Sequence, residues 1–166
     1  MNKQEFWQII TNAKKDSSES YEIQQNLVLG QLLTLSLDDV VQFDHIYNEF
    51  MDSAYTWDLW AAAYIIQGGC SDDCFMDFRG WLISRGEEVY KKALINPETL
   101  SELNDLSEDT DWEGFGYLAS TAYEQLTGED IPADKSRRHP VEPHGEEWEE
   151  EDLPILLPRL SSIYWS

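Results

Sequence analysis

The chain has 166 residues, 42% hydrophobic and 13% aromatic, with 33 acidic against 11 basic side chains and a net charge of −22. A single domain of this length buries roughly 70% of the surface its unfolded form exposes, so it needs neither disulfide nor metal to hold together. The aromatic content excludes a disordered chain, and the negative field repels phosphate, which argues against direct nucleic-acid binding.

Asn2 with Glu5 three residues later has the form of a capping box, and Phe6, Trp7 and Ile10 follow at helical spacing. This first helix ends near Lys14-Lys15, where basic side chains suit the negative end of the dipole. A second starts after Ser18 or Ser20 and runs through Ile23, Leu27 and Leu32-Leu33 as a core-facing amphipathic helix. Ser36 caps a third, with Asp38 and Asp39 in its first turn and Val40, Phe43, Tyr47 and Phe50 on one face.

Next comes a helical hairpin, about 56–67 and 72–85, closed at Gly68-Gly69 and Gly86. Its first arm, Trp57-Asp58-Leu59-Trp60-Ala61-Ala62-Ala63-Tyr64-Ile65-Ile66, is apolar on nearly every side, as a central helix must be. A shorter helix, Glu87 to Leu94, stops at Asn96-Pro97. Thr110-Asp111-Trp112-Glu113 is a second capping-box pattern, opening a helix with Trp112, Phe115, Ala119, Ala122, Tyr123 and Leu126 on one side and Gly128 at its end.

No run alternates with a period of two. The reading is therefore all-α: a helical bundle of about six to eight helices over 1–128, then an irregular, Pro-containing acidic extension over 129–166. Of the acidic excess, residues 1–97 carry 15 acids and 7 bases, whereas 98–166 carry 18 and 4. Glu146 to Asp152 forms a dense acidic run around Trp148. The apolar residues after it, Leu153 to Trp165, are expected to pack back on the domain or to engage a partner.

No segment has signal-peptide character or the length of apolar chain that spans a bilayer, so no membrane association is expected. The spacing of Cys70 and Cys74 suits neither a Cys-x-x-Cys redox pair nor a four-ligand zinc site. A reduced, cytoplasmic setting is the expectation.

The hairpin turn gathers Gly69, Cys70, Ser71, Asp72 and Asp73 at a helix start, and helix physics alone selects such residues: a hydroxyl for an orphan amide, carboxylates for the positive end of the dipole. The functional alternative makes Cys70 a thiolate, but Asp72 and Asp73 oppose it, and His45, His139 and His144 lie far off in sequence. Asp73 and Asp77, one helical turn apart, with Asp72 or Asp58, are the best candidates for a hard cation; the chain has no His-Glu-x-x-His and no calcium-loop pattern. No motif calls for a metal or another cofactor. Gly68-Gly69 lacks the spacing of a phosphate loop. Arg79 and Asp58, each in an aromatic context, are expected to pair with each other, or Arg79 to stack on a Trp. The functional variant makes Arg79 an anion receptor beside the Gly68-Gly69 amides.

The pattern Phe6-Trp7, Trp57 to Tyr64, Gly68-Gly69-Cys70-Ser71-Asp72-Asp73, Phe75, Asp77-Phe78-Arg79-Gly80-Trp81-Leu82 and Gly86 resembles the bacterial family called domain of unknown function 4240, over about residues 1–130. Trp148 to Leu160 is similar to the C-terminal end of such proteins. The resemblance implies a bacterial cytoplasmic origin and a central place for the hairpin. It carries no catalytic residue.

Two functions follow as expectations. The first is a non-catalytic acidic interaction protein, inhibitor- or immunity-like, that holds a protein partner, a basic one being what its field favours, with Trp148 as anchor among Glu147, Glu149 and Glu150. The second is a small enzyme or anion-binding domain whose pocket is the Gly68–Asp73 turn with Arg79.

Overall fold

The computed structural model describes residues 1–104, 106, 110 and 112–165. Among them the chain is all-α, with no strand and one isolated bridge, between Thr56 and His144. Helix α1 spans Lys3–Asp16 under the Asn2/Glu5 capping box: the Asn2 side chain accepts from the Glu5 amide at 2.9 Å, and the Glu5 carboxylate accepts from the Asn2 amide at 2.8 Å. α2 (Tyr21–Leu32), α3 (Leu37–Ser53) and α4 (Trp57–Gln67) are capped by the hydroxyls of Ser20, Ser36 and Thr56. α4 ends at Gly68, whose φ of +70° favours glycine over any residue with a Cβ. α5 (Asp72–Ser84) is capped by Ser71, and α6 (Glu87–Ile95) leads through Asn96 into a 3₁₀ segment, Pro97–Glu102.

α2 departs from the expected face. Ile23 and Leu27 are exposed, and the buried stripe is Gln24, Val28 and Leu32. Gln24 goes inside because both ends of its amide find partners: Nε2 donates to the Ser84 carbonyl at 2.8 Å, and Oε1 accepts from Arg85 at 2.6 Å. A buried amide so satisfied escapes the usual cost of burying a polar group.

The expected helix after Thr110 begins instead with a 3₁₀ segment, Glu113–Tyr117, and continues as α7 (Leu118–Thr127), ended by Gly128. Trp112 stands at its cap position and makes no side-chain cap bond; the Thr110 hydroxyl accepts from the Gln67 amide. Asp111 of that capping-box pattern lies outside the described residues.

α5 packs against α1, α3, α4 and α6, and its residues Phe78–Ser84 are buried without a break. Around it the core is aromatic: Phe6 packs on Phe43 at 4.7 Å between ring centres, Trp7 on Phe50 at 4.7 Å and Trp60 on Phe75 at 5.2 Å. Truncating Phe6 or Phe78 to Ala in such a core costs about 3–5 kcal/mol.

The last segment is tied to α4. The Trp57 amide donates to the His144 carbonyl at 2.9 Å, His144 returns a bond to Tyr55, and Trp148 Nε1 donates to the Trp57 carbonyl at 2.7 Å. α8 (Leu153–Leu156) and α9 (Pro158–Tyr164) follow, burying Leu153, Leu157 and Leu160. Glu98 caps α9 from the 3₁₀ segment, its two oxygens accepting from the amides of Arg159 and Leu160 at 2.8 and 2.9 Å.

Candidate functional site

The residues singled out at the hairpin turn separate into two sets. Gly68 and Gly69 close α4, the Gly69 amide donating to the Tyr64 carbonyl at 2.8 Å. Ser71 caps α5, and Asp73 is exposed in its first turn. Cys70 is 9% exposed and bonded to Cys74 through a disulfide. This corrects the expectation of two reduced thiols and removes the Cys70 thiolate reading, because a disulfide sulfur has no charge to attack with. The pair forms because the residue before the cap and the third helical residue lie close together, with 5.3 Å between Cα atoms.

Asp72 and Arg79, in contrast, face one cleft of about 330 Å³. Its walls are α3, α5, the Glu113–Tyr117 segment and residues 137–140. Gly68, Gly69, Cys70, Ser71, Asp73 and Asp58 are not on it. An anion site built from Arg79 and the Gly68-Gly69 amides therefore has no geometry to support it.

Arg79 is 8% exposed and serves the end of α3. Nη1 donates to the Met51 carbonyl at 2.8 Å and Nε to the Phe75 carbonyl at 3.4 Å, while the guanidinium lies over the rings of Tyr55 at 4.5 Å and Phe75 at 4.9 Å. Neither expected partner is used: Asp58 is exposed in the first turn of α4, and the stacked rings are a Tyr and a Phe. The reason is the end of α3. Arg79 satisfies the Met51 carbonyl in its last turn, while the Phe50 carbonyl, which already accepts from the Ala54 amide at 3.0 Å, takes a second bond from the Tyr90 hydroxyl at 2.7 Å. Burial pulls the Arg79 guanidinium below its ordinary pKa, opposed by the nearby Asp72 carboxylate.

Along the rim, the Tyr55 hydroxyl donates to Asp72 at 2.9 Å, and Arg137 grips Asp52 with Nε and Nη2 at 2.9 and 2.5 Å. Burial, then this bond to Asp72, pushes the Tyr55 phenol up. Tyr47 is 7% exposed, and burial raises its phenol well above the ordinary value, so it stays neutral across the physiological range. Trp112, Tyr117, Asp77 and Glu113 complete the lining that matters here.

Tyr47, Asp52, Tyr55, Trp112 and Arg137 were not visible as site residues in the sequence. Tyr47 reads as one more core position at helical spacing from Phe43. The one local sign is glycine inside otherwise regular segments: a Cβ on Gly80 would lie 2.8 Å from the Tyr47 hydroxyl and one on Gly116 3.1 Å.

Trp148 is half-buried, edge-on to Trp57 at 6.1 Å and to Tyr64 at 5.3 Å between ring centres. Its indole is committed to the fold. Glu147 and Glu149 are exposed, as is Glu150, which accepts from the Tyr64 hydroxyl at 2.9 Å. Among the described residues no three His, Cys, Asp or Glu side chains gather in a way that could hold a metal ion, and no helix is long and apolar enough to cross a membrane.

These features define a strongly acidic, all-α protein built on an aromatic helical hairpin, with a cleft beside its second arm. The family model described as protein of unknown function (DUF4240) matches residues 1–125, and the chain belongs to that family. No curated protein and no solved structure matches it.

Proposed function

We propose that this is a non-catalytic binding protein of the bacterial cytoplasm that holds a basic protein partner through the acidic surface of its C-terminal segment. The observation that supports it is the placement of the acidic run. Glu146, Glu147, Glu149, Glu150 and Glu151 are all exposed, on a backbone held to α4 through His144 and Trp148. Like charges so crowded oppose folding, and a positively charged partner relieves that repulsion. A surface already ordered before binding also loses less entropy when the partner arrives.

Apolar side chains stand close by in sequence: Ile155 is 80% exposed, and Leu156 and Ile163 are exposed as well. Carboxylates that steer the approach, next to aliphatic groups that lose water on contact, make up the usual anatomy of a steered interface. With Trp148 turned inward, the anchors in this reading are the glutamates and the aliphatic residues.

The test is paired capture from a bacterial host lysate at low salt, with wild type and a Glu146/Glu147/Glu149/Glu150/Glu151→Gln variant as baits and quantitative mass spectrometry as readout. The variant is expected to lose a protein that wild type retains. An identical retained set for both baits would end this reading. The cytoplasmic setting has its own test, because cytosolic conditions reduce thiols and the Cys70–Cys74 bond runs against such a setting. Alkylation of acid-quenched cells that labels both cysteines would keep the protein in the cytoplasm, and a fully blocked pair would move it to an oxidising compartment.

A further inference from the structure

The Tyr47 side chain is more than nine-tenths buried, its ring packs on Phe115 at 6.0 Å, and its hydroxyl sits between Gly80 and Gly116 where it reaches the cleft wall. Among the described residues nothing hydrogen-bonds that hydroxyl, and its oxygen is open to the cleft, not sealed away from solvent. A phenol whose ring is buried and whose oxygen opens on a cleft is held in place and offers that oxygen to a donor that enters.

We propose that the cleft binds an organic cation, an ammonium or guanidinium group whose N–H donates to the Tyr47 oxygen while the Asp72 carboxylate supplies countercharge. An anion fits poorly. Both arginines on the lining are already engaged, Arg79 on the Met51 carbonyl and between two rings, Arg137 in a two-point pair with Asp52. On the same walls Asp52 is paired with Arg137 and Asp72 accepts from the Tyr55 hydroxyl, yet in charge Asp52, Asp72, Asp77 and Glu113 still outnumber the two arginines, within a chain of net charge −22. An incoming carboxylate or phosphate would meet that field, whereas a cation is drawn into it.

The remaining surface also suits a cation, since Trp112 and Tyr117 line the cleft and aromatic faces attract positive charge. Burial keeps the Tyr47 phenol neutral, so its oxygen remains an acceptor. The volume, about 330 Å³, admits a group the size of one side chain. None of the glutamates at 146, 147, 149, 150 and 151 lines this cleft, so the site stands apart from the C-terminal surface.

Chemical-shift titration of ¹⁵N-labelled protein tests it, using propylguanidinium and propylammonium as probes, propylurea as the neutral shape control and propionate as the anion control. Saturable shifts of the Trp112 indole and of the Gly80 and Gly116 amides are expected with both cations and with neither control. Tyr47→Phe, which removes one oxygen and leaves the ring, should weaken binding about tenfold or more. Gly116→Ala crowds the hydroxyl with a methyl group while keeping the phenol and should weaken binding too; it decides the question if Tyr47→Phe does not fold. A blocked Gly-Arg-Gly peptide separates the sources of the cation. Binding at least as tight as propylguanidinium identifies a partner's side chain, and exclusion of the peptide identifies a free amine or guanidine. No saturable shift with either cation, an equal response to propylurea or propionate, or unchanged affinity in the folded variants would overturn the proposal.

Discussion

Replacing Arg79 with Met tests the architecture of the hairpin, because Met retains the stem and removes the guanidinium. The lost bond to the Met51 carbonyl is charge-assisted, and such bonds contribute about 1.5–3 kcal/mol. Stacking over Tyr55 and Phe75 adds up to about 2 kcal/mol at a desolvated site. Against these stands relief from keeping a charge out of water, the effect that already depresses this guanidinium. The orphaned carbonyl at the end of α3 tips the balance, and the net loss should be about 2–4 kcal/mol. For a chain of this size that corresponds to a Tm lower by about 5 to 15 °C. Arg79→Lys, which keeps the charge near the α3 terminus but not the planar stack, should fall between the two. Thermal and urea unfolding followed by circular dichroism measure all three proteins. A Met variant as stable as wild type would mean that desolvation cancels the bonds, and the account of Arg79 as the residue that finishes α3 would be wrong.

Gln24→Leu removes the donor to Ser84 and the acceptor for Arg85, so a loss of about 2–3 kcal/mol is expected in urea unfolding despite the more apolar side chain; a gain would contradict the reading of α2. The Cys70–Cys74 bond closes so short a loop that chain entropy limits its contribution to about 2 kcal/mol, so the double Ser variant should keep its helical spectrum and lose no more than that. Burial pushes the Asp44 carboxyl up, with His45 and Arg137 opposing. A carboxyl raised in the folded state opposes folding above its folded pKa, and the opposition vanishes below its unfolded value. Asp44→Asn should therefore stabilise at neutral pH, with a difference that closes as pH falls through the acid range; a pH-independent difference in urea midpoints would contradict this.

Local signals were legible because their causes are local. Asn2 with Glu5, Ser36, Ser71 and the glycines at 68 and 128 each act within one turn of chain, and each stands where the pattern placed it. Burial was harder. α2 carries apolar residues around its circumference, and only Ser84 and Arg85, some sixty residues away, decide that Gln24 goes in and Ile23 stays out. Arg79 shows the same limit. Its aromatic setting was plain in sequence, yet its bonding partner is a main-chain carbonyl at the end of another helix, which no side-chain pattern announces. The cleft depends on residues from α3, α5, the 113–117 segment and 137–140, so only the fold brings Tyr47, Asp72 and Arg137 to one place.

Recruitment of a basic partner by the acidic C-terminal surface should show in the association rate of the captured partner as ionic strength is varied. Electrostatic steering predicts a rate that falls steeply from low to physiological salt for wild type and much less for the five-Gln variant. A rate independent of salt, or one falling equally for both proteins, would contradict it.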